Sequence, residues 1–335
     1  MGARARQRGA RLDPSGGARY RLAAMISTRC SILLGGFLGC LLVPLICGCS
    51  INEFAVNTTA PVMYAASKAF AAESDVEFAR DASAGQLKTA DGFLVSAPEN
   101  RQLLELLARG YMEYAFGFLE DDLEALPDDA NHHDRREALA ARATGLYDRA
   151  LGFAIRNLAT FGKGVAGAMK KDSTTFEAAL EHLPKAAAPA LLYAGMSLAS
   201  AINLNRADIS RVADLPKAVA MVRRAYALDK AQYNGAAAMT LGLINASQGK
   251  AMGGDPDAAK RYFTEAVELN QGKYLLAKVM EARYLAVVLQ DRPMFERLLN
   301  EVLATPADAM PAARLPNELA RRRAARYLKQ AEDLF

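Results

Sequence analysis

Between residues 100 and 334 the apolar side chains recur at helical spacing, and no run alternates at the two-residue period of a half-buried strand. Segments 100–126, 135–161, 187–203, 215–229, 235–248, 255–270, 274–290 and 317–334 each carry the helical pattern. Breakers separate them: Pro127, Gly162 with Gly164, Pro184, the stretch 249–256, and the stretch 306–316. Asp214 before Leu215-Pro216, and Asp255 before Pro256, read as N-caps with proline in the first turn. The pattern predicts an all-α body of helix hairpins, long enough to bury a sizeable core.

A second pattern is superimposed on the first. A small residue, a large apolar one four positions on, and an alanine three further recur as Ser83-Leu87-Ala90, Ala143-Tyr147-Ala150, Ala218-Val222-Ala225 and Ala259-Phe263-Ala266. These are the spacings of the second helix of a tetratricopeptide repeat, where small residues allow close approach and the large one fills the groove. Candidate first helices carry Leu107-Ala108 with Tyr111, Ala194-Gly195 with Leu198, and Leu241-Gly242 with Asn245. The second helices step by 60, 75 and 41 residues, whereas regular repeats step by about 34. The expectation is an interrupted, degenerate tetratricopeptide-like α-solenoid of stacked helix hairpins. A generic helical bundle is the alternative.

All four cysteines (Cys30, Cys40, Cys47 and Cys49) lie in the first 49 residues. The body therefore has no disulfide framework and no cysteine metal site. Residues 1–48 hold seven arginines and a single acid, Asp13, while residues 49–335 carry 34 basic and 36 acidic side chains. The basic character belongs to the leader, which removes the case for nucleic-acid binding by the folded body. Residues 31–46 run without a charge for 16 positions, short of the roughly 20 a membrane span requires. Arg29 before them and small residues after them fit a secretory signal. Ile46-Cys47-Gly48-Cys49 then resembles a bacterial lipobox, with Cys49 as the lipidated first residue of the mature chain. A buried cysteine at the end of a core helix is the competing reading.

Signal peptides run about 15–30 residues. Counting from Met1 gives a leader of 48, and counting from Met25 gives 24. Translation is therefore expected to begin at Met25, with residues 1–48 as leader and 49–335 as the mature, lipid-anchored body. Acyl chains hold through roughly 0.8 kcal/mol per buried methylene. Ser50, in place of an aspartate, favours the outer membrane over the inner one, with the body facing the periplasm.

The chain is poor in reactive constellations. His132 and His133 sit beside Asp128, Asp129 and Asp134 in an acidic linker, but adjacent residues diverge and no second cluster completes a metal site. The glycines at 162, 164 and 167 match a dinucleotide fingerprint by letter, yet no strand precedes them, so a helix–helix turn is expected. No nucleophile elbow, metalloprotease helix or P-loop occurs. The acidic run 120–129 and the arginines 321–323 read as solvated faces. No enzyme activity, cofactor or metal is expected.

Longer stretches carry a resemblance. PALLYAGMSLASAINLNRADISRVADLPKAVAMVRRAYALD (189–229), GGDPDAAKRYFTEAVELNQGKY (253–274) and RLPNELARRRAARYLKQAEDLF (314–335) resemble the T-component of tripartite ATP-independent periplasmic (TRAP) transporters. QLLELLARGYMEYAFGFLEDD (102–122) and LYDRALGFAIRNL (146–158) extend the likeness, which runs from about Ile51 to Phe335. The chain departs from the family after the LLY stretch, where Ala194 follows Tyr193 in place of a tryptophan. It departs again after Gly235, where alanines stand in place of a histidine. The resemblance implies a periplasmic lipoprotein scaffold, trimeric, that associates with a TRAP solute-binding protein and offers a hydrophobic channel to a hydrophobic or organic-acid ligand. A tetratricopeptide-like outer-membrane lipoprotein serving an envelope assembly complex is the runner-up. Stacked hairpins make a concave surface, and Tyr111, Tyr114 and Phe118, at spacings of three and four, are candidates to line it, with Tyr193 joining them. A core role for the same side chains competes with that reading.

Overall fold

The structure is a computed structural model. It describes residues 48–162, 164–247 and 253–335, with side chains from residue 51 onward. Contacts divide the chain after Ala55, and everything below concerns the unit Val56–Phe335. The leader through residue 47 and the side chain of Cys49 lie outside the described residues, so the start at Met25 and the lipid anchor are not seen.

Among the described residues there is no strand. The helices are α1 (Gly48–Ala71), α2 (Val76–Ser96), α3 (Arg101–Tyr114), α4 (Glu120–Ala125), α5 (His133–Ala159), α6 (Gly164–Ala168), α7 (Ser173–Leu180), α8 (Ala188–Leu204), α9 (Ile209–Val212), α10 (Leu215–Leu228), α11 (Gln232–Ser247), α12 (Pro256–Glu268), α13 (Leu276–Met280), α14 (Arg292–Ala304), α15 (Arg314–Lys329) and α16 (Ala331–Leu334). A π-helical turn, Ala115–Leu119, joins α3 to α4, and a second, Glu281–Ala286, continues α13. The predicted continuous helix over 274–290 is thus interrupted, and α14 is a helix that the periodicity did not mark.

Side-chain caps set several helix starts. Asp75 accepts from the Glu77 and Phe78 amides at 3.0 Å, Asn100 from Leu103 at 3.0 Å, Asp172 from Thr175 at 2.9 Å, Asp255 from Ala258 at 3.0 Å and Asp291 from Met294 at 2.9 Å. Asp214 departs from its expected role: it makes no side-chain cap to α10. Its carboxylate instead accepts from Lys217 Nζ at 2.8 Å, and that ammonium also donates to the Met169 carbonyl at 3.0 Å.

The hairpins stack in chain order. α5 packs on α3 and α8, α8 on α10, α11 on α12, and α14 on both the second π turn and α15. α8 is apolar enough over residues 185–204 to cross a membrane by composition. Its place explains that, since α5 and α10 cover it and most of its residues are buried. The small residues of the repeat pattern do what their spacing implies. A Cβ placed on Gly195 would come within 2.5 Å of Val222 Cγ2 and 2.9 Å of the Ala218 carbonyl oxygen, so α8 and α10 meet nearly backbone to backbone. Gly242 meets the ring of Phe263 in the same way across α11 and α12, at 3.1 Å.

The stack curls until its end meets its beginning. α15 packs against α2 as well as α14. Arg326 donates to Asp121 and Glu124 of α4, each at 2.8 Å, and Arg322 reaches Glu77 of α2 at 2.9 Å. The expected solvated faces are therefore corrected in part: Glu120, Asp121 and Arg323 are buried in this junction. Arg321 donates to the Leu303 and Thr305 carbonyls at 2.7 and 2.6 Å, closing the C-terminus of α14.

Candidate ligand cavity

Closure of the stack leaves a lumen of about 1030 Å³. Its wall is drawn from both ends of the chain: α1, α2, α3 and the first π turn on one side, and α8, α11, α13 and α15 on the other. Much of the surface is apolar, with Leu106, Met112, Phe116, Met196, Met239, Ile244, Met280 and Leu319 facing inward. The volume lies at the upper end of small-molecule sites, and flexible methionines suit an adaptable apolar wall.

Of the aromatic candidates, Tyr114, Phe118 and Tyr193 lie on this wall. Tyr111 does not. Its ring stacks on Phe153 of α5, centroids 5.8 Å apart, inside the core. The physical reason is local. Tyr111 faces the neighbouring α5, whereas the π turn beginning at Ala115 widens the helix just beyond Tyr114. Tyr114 and Phe118 then meet edge to face at 5.2 Å. The expected single face over three aromatics is thus divided between core and lumen.

The charged wall residues were not singled out by the sequence. Arg109 of α3 projects into the lumen between the rings of Tyr64 and Tyr233, its guanidinium carbon 5.9 and 5.6 Å from their centroids. It donates to Ser67 of α1 and lies 4.0 Å from Glu113 of the next turn. Tyr193 donates to Glu113 at 3.1 Å, and both Tyr64 and Tyr233 donate to Glu105. Glu113 is open to the lumen, yet its position deep within the fold raises its pKa; Arg109 and the Tyr193 hydroxyl oppose that shift.

Tyr233 reaches this cluster through an unusual backbone. Tyr233, Asn234 and Gly235 are successive left-handed residues, with φ of 46°, 58° and 73°. The Asn-Gly pair is what makes the turn accessible, and Asn270 steadies it by donating to the Asn234 carbonyl at 2.8 Å. A tyrosine at positive φ is a strained residue, and such strain collects at functional sites.

A second polar pole lies at the junction of α15 and α4. Arg323 is fully buried, places its guanidinium 4.2 Å from the Phe116 ring, and donates to the Phe116 carbonyl at 2.6 Å and to Asp121 at 3.3 Å. Among the described residues its Nη1 has no hydrogen-bond partner. Glu120 beside it accepts from Tyr147, and burial pushes its carboxyl up to about 7. Among the described residues no group of His, Cys, Asp and Glu is arranged to hold a metal. His132 lies 2.7 Å from Asp129 at the entry to α5, remote from the lumen lining.

The match to known proteins begins where α1 ends and runs to the last residue. The model of the TRAP transporter T-component family matches residues 72–335. The chain belongs to this family. This T-component is also similar to an uncharacterized protein of Treponema pallidum (strain Nichols), at 24% identity over 270 residues, covering 80% of this chain and 83% of that protein. The family is a component of a transport system. The match takes in α2, the π turn that separates Tyr111 from the lumen, and the closing helix α15.

Proposed function

We infer that this T-component is anchored by lipid at Cys49, faces the periplasm from the outer membrane, and associates with a TRAP solute-binding protein. It passes a hydrophobic or organic-acid ligand through its lumen and works as a homotrimer. Family membership supports the TRAP role. The observation that carries the ligand role is the cavity of about 1030 Å³, lined by helices from both ends of the chain and apolar along much of its wall. A scaffold that only displays surfaces has no need of such an interior, since filling it would add stability.

Native mass spectrometry of a periplasmic pull-down of the full chain tests the reading. The expected result is a complex with a TRAP solute-binding protein, in multiples of three copies of this chain, with a small molecule retained. Recovery with envelope assembly proteins and no solute-binding protein would overturn it.

A further inference from the structure

The body of the chain is slightly acidic, but the wall of the lumen is not. Four cations line it, Lys68, Arg109, Arg206 and Arg323, against two carboxylates, Glu113 and Glu120. Asp121 already faces Arg323, so the excess rests on Lys68, Arg109 and Arg206, and an excess of one sign in a low-dielectric cavity concentrates ligands of the other. The apolar lining asks for a hydrocarbon, and the excess of cation asks for an acid.

Arg109 is the group placed to bind it. A guanidinium has five donor hydrogens, and among the described residues this one makes a single hydrogen bond, to Ser67. Its counter-ion is loose, since Glu113 stands 4.0 Å from Nε without a hydrogen bond between them. The guanidinium carbon lies over the rings of Tyr64 and Tyr233, and Glu105 already occupies both of their hydroxyls. The strained turn at Tyr233 is spent on completing this frame. The remaining groups around the pair are Tyr193 from α8 and Tyr274 from the segment before α13. None of them is a second cation that would neutralise Glu113 in place of Arg109.

We propose that the lumen binds an amphiphile with a single acidic head, seated on Arg109 in exchange for Glu113, with its hydrocarbon chain along the methionine-lined wall. The inference rests on the reading that the lumen holds ligand. On entry the head displaces Glu113 as the partner of Arg109, and the freed carboxylate, having lost the cation that favours its charged form and now facing an anionic head, takes a proton more readily. Binding therefore strengthens as pH falls, for a head that itself stays ionised.

Calorimetric titration of the full chain with four submicellar probes of one chain length tests this: decanoate, decane-1-sulfonate, decan-1-ol and decyltrimethylammonium. The two acids are expected to bind at least ten-fold tighter than the alcohol, and the cation weakest. Arg109→Met is expected to remove the acid preference, so that decanoate and decane-1-sulfonate bind no tighter than decan-1-ol. Glu113→Gln is expected to tighten decane-1-sulfonate several-fold and flatten its pH dependence between pH 5 and 8. If Arg109→Met does not fold, the head-group series on the natural chain and the Glu113→Gln profile decide the matter. Equal affinity for acid and alcohol overturns the acidic-head proposal and leaves the ligand-carrying reading intact. Failure of every probe to bind overturns both.

Discussion

Arg323 of α15 donates to the carbonyl oxygen of Phe116 and lies over that same residue's ring, across 207 positions of sequence. One side chain thus joins the last long helix to the π turn that shapes the lumen. The junction continues in Asp121, which faces Arg323, Arg326 and Arg322 at 3.3, 2.8 and 3.9 Å. Buried ion pairs of this kind add little against an apolar replacement, but removing one partner leaves an uncompensated charge.

Asp121→Asn is therefore expected to destabilise the fold by about 3 kcal/mol. The loss should appear as a lower midpoint in urea unfolding. If α15 detaches from α4 before the rest melts, the transition will broaden or split. A sharp, unshifted transition would show that the ends of the stack are held by apolar packing alone.

Glycine positions give a paired test of close packing. Gly195→Ala places a Cβ against Val222 and the Ala218 carbonyl, and main chain cannot move aside as a side chain can. A cost of about 1–3 kcal/mol is expected. Gly152→Ala, on an exposed face of α5 with nothing within 4 Å, is expected to stabilise by about 0.5–1 kcal/mol. Thermal melts of the two variants should move in opposite directions.

Glu120 gives the fold a pH dependence of known sign. Its carboxyl, pushed up to about 7 by burial, holds its proton in the folded chain across a range where the unfolded chain, near the ordinary value of 4.5, has lost it. The folded state binds more protons there, so stability falls as pH rises from about 4.5 to 7. Glu120→Gln removes this term. The stability difference between variant and natural chain should grow in the variant's favour by about 3 kcal/mol over that window. A difference that stays constant with pH would contradict it.

The helical plan was legible because it rests on local rules. Apolar spacing marked α3 with α4, α5, α8, α10, α11, α12 and α15 to within a few residues. The glycine contacts at Gly195 and Gly242 followed from the repeat pattern. What escaped was of two kinds. The π turns look helical to a periodicity count, so neither the interruption within 274–290 nor the parting of Tyr111 from Tyr114 was visible. The lumen's charges escaped because their meaning is non-local. Arg109 and Glu113 are an ordinary i, i+4 pair on paper and become a pole only when α1, α8 and the left-handed turn at Tyr233 close around them. Arg323 and Asp121 read as surface charges until α15 returns to α4.

Tyr111 separates the core role from the lumen role in a single substitution. Its ring is stacked on Phe153, and its hydroxyl is buried with no hydrogen-bond partner among the described residues. A buried hydroxyl without a partner carries its full desolvation cost, so removing the oxygen should help. Tyr111→Phe is expected to raise stability by about 1 kcal/mol, with an unchanged denaturant slope and unchanged decanoate affinity. Tyr114→Ala, on the lumen wall, should instead alter affinity for alkyl probes. If Tyr111→Phe weakens probe binding without changing stability, the hydroxyl serves the lumen and its placement in the core is wrong.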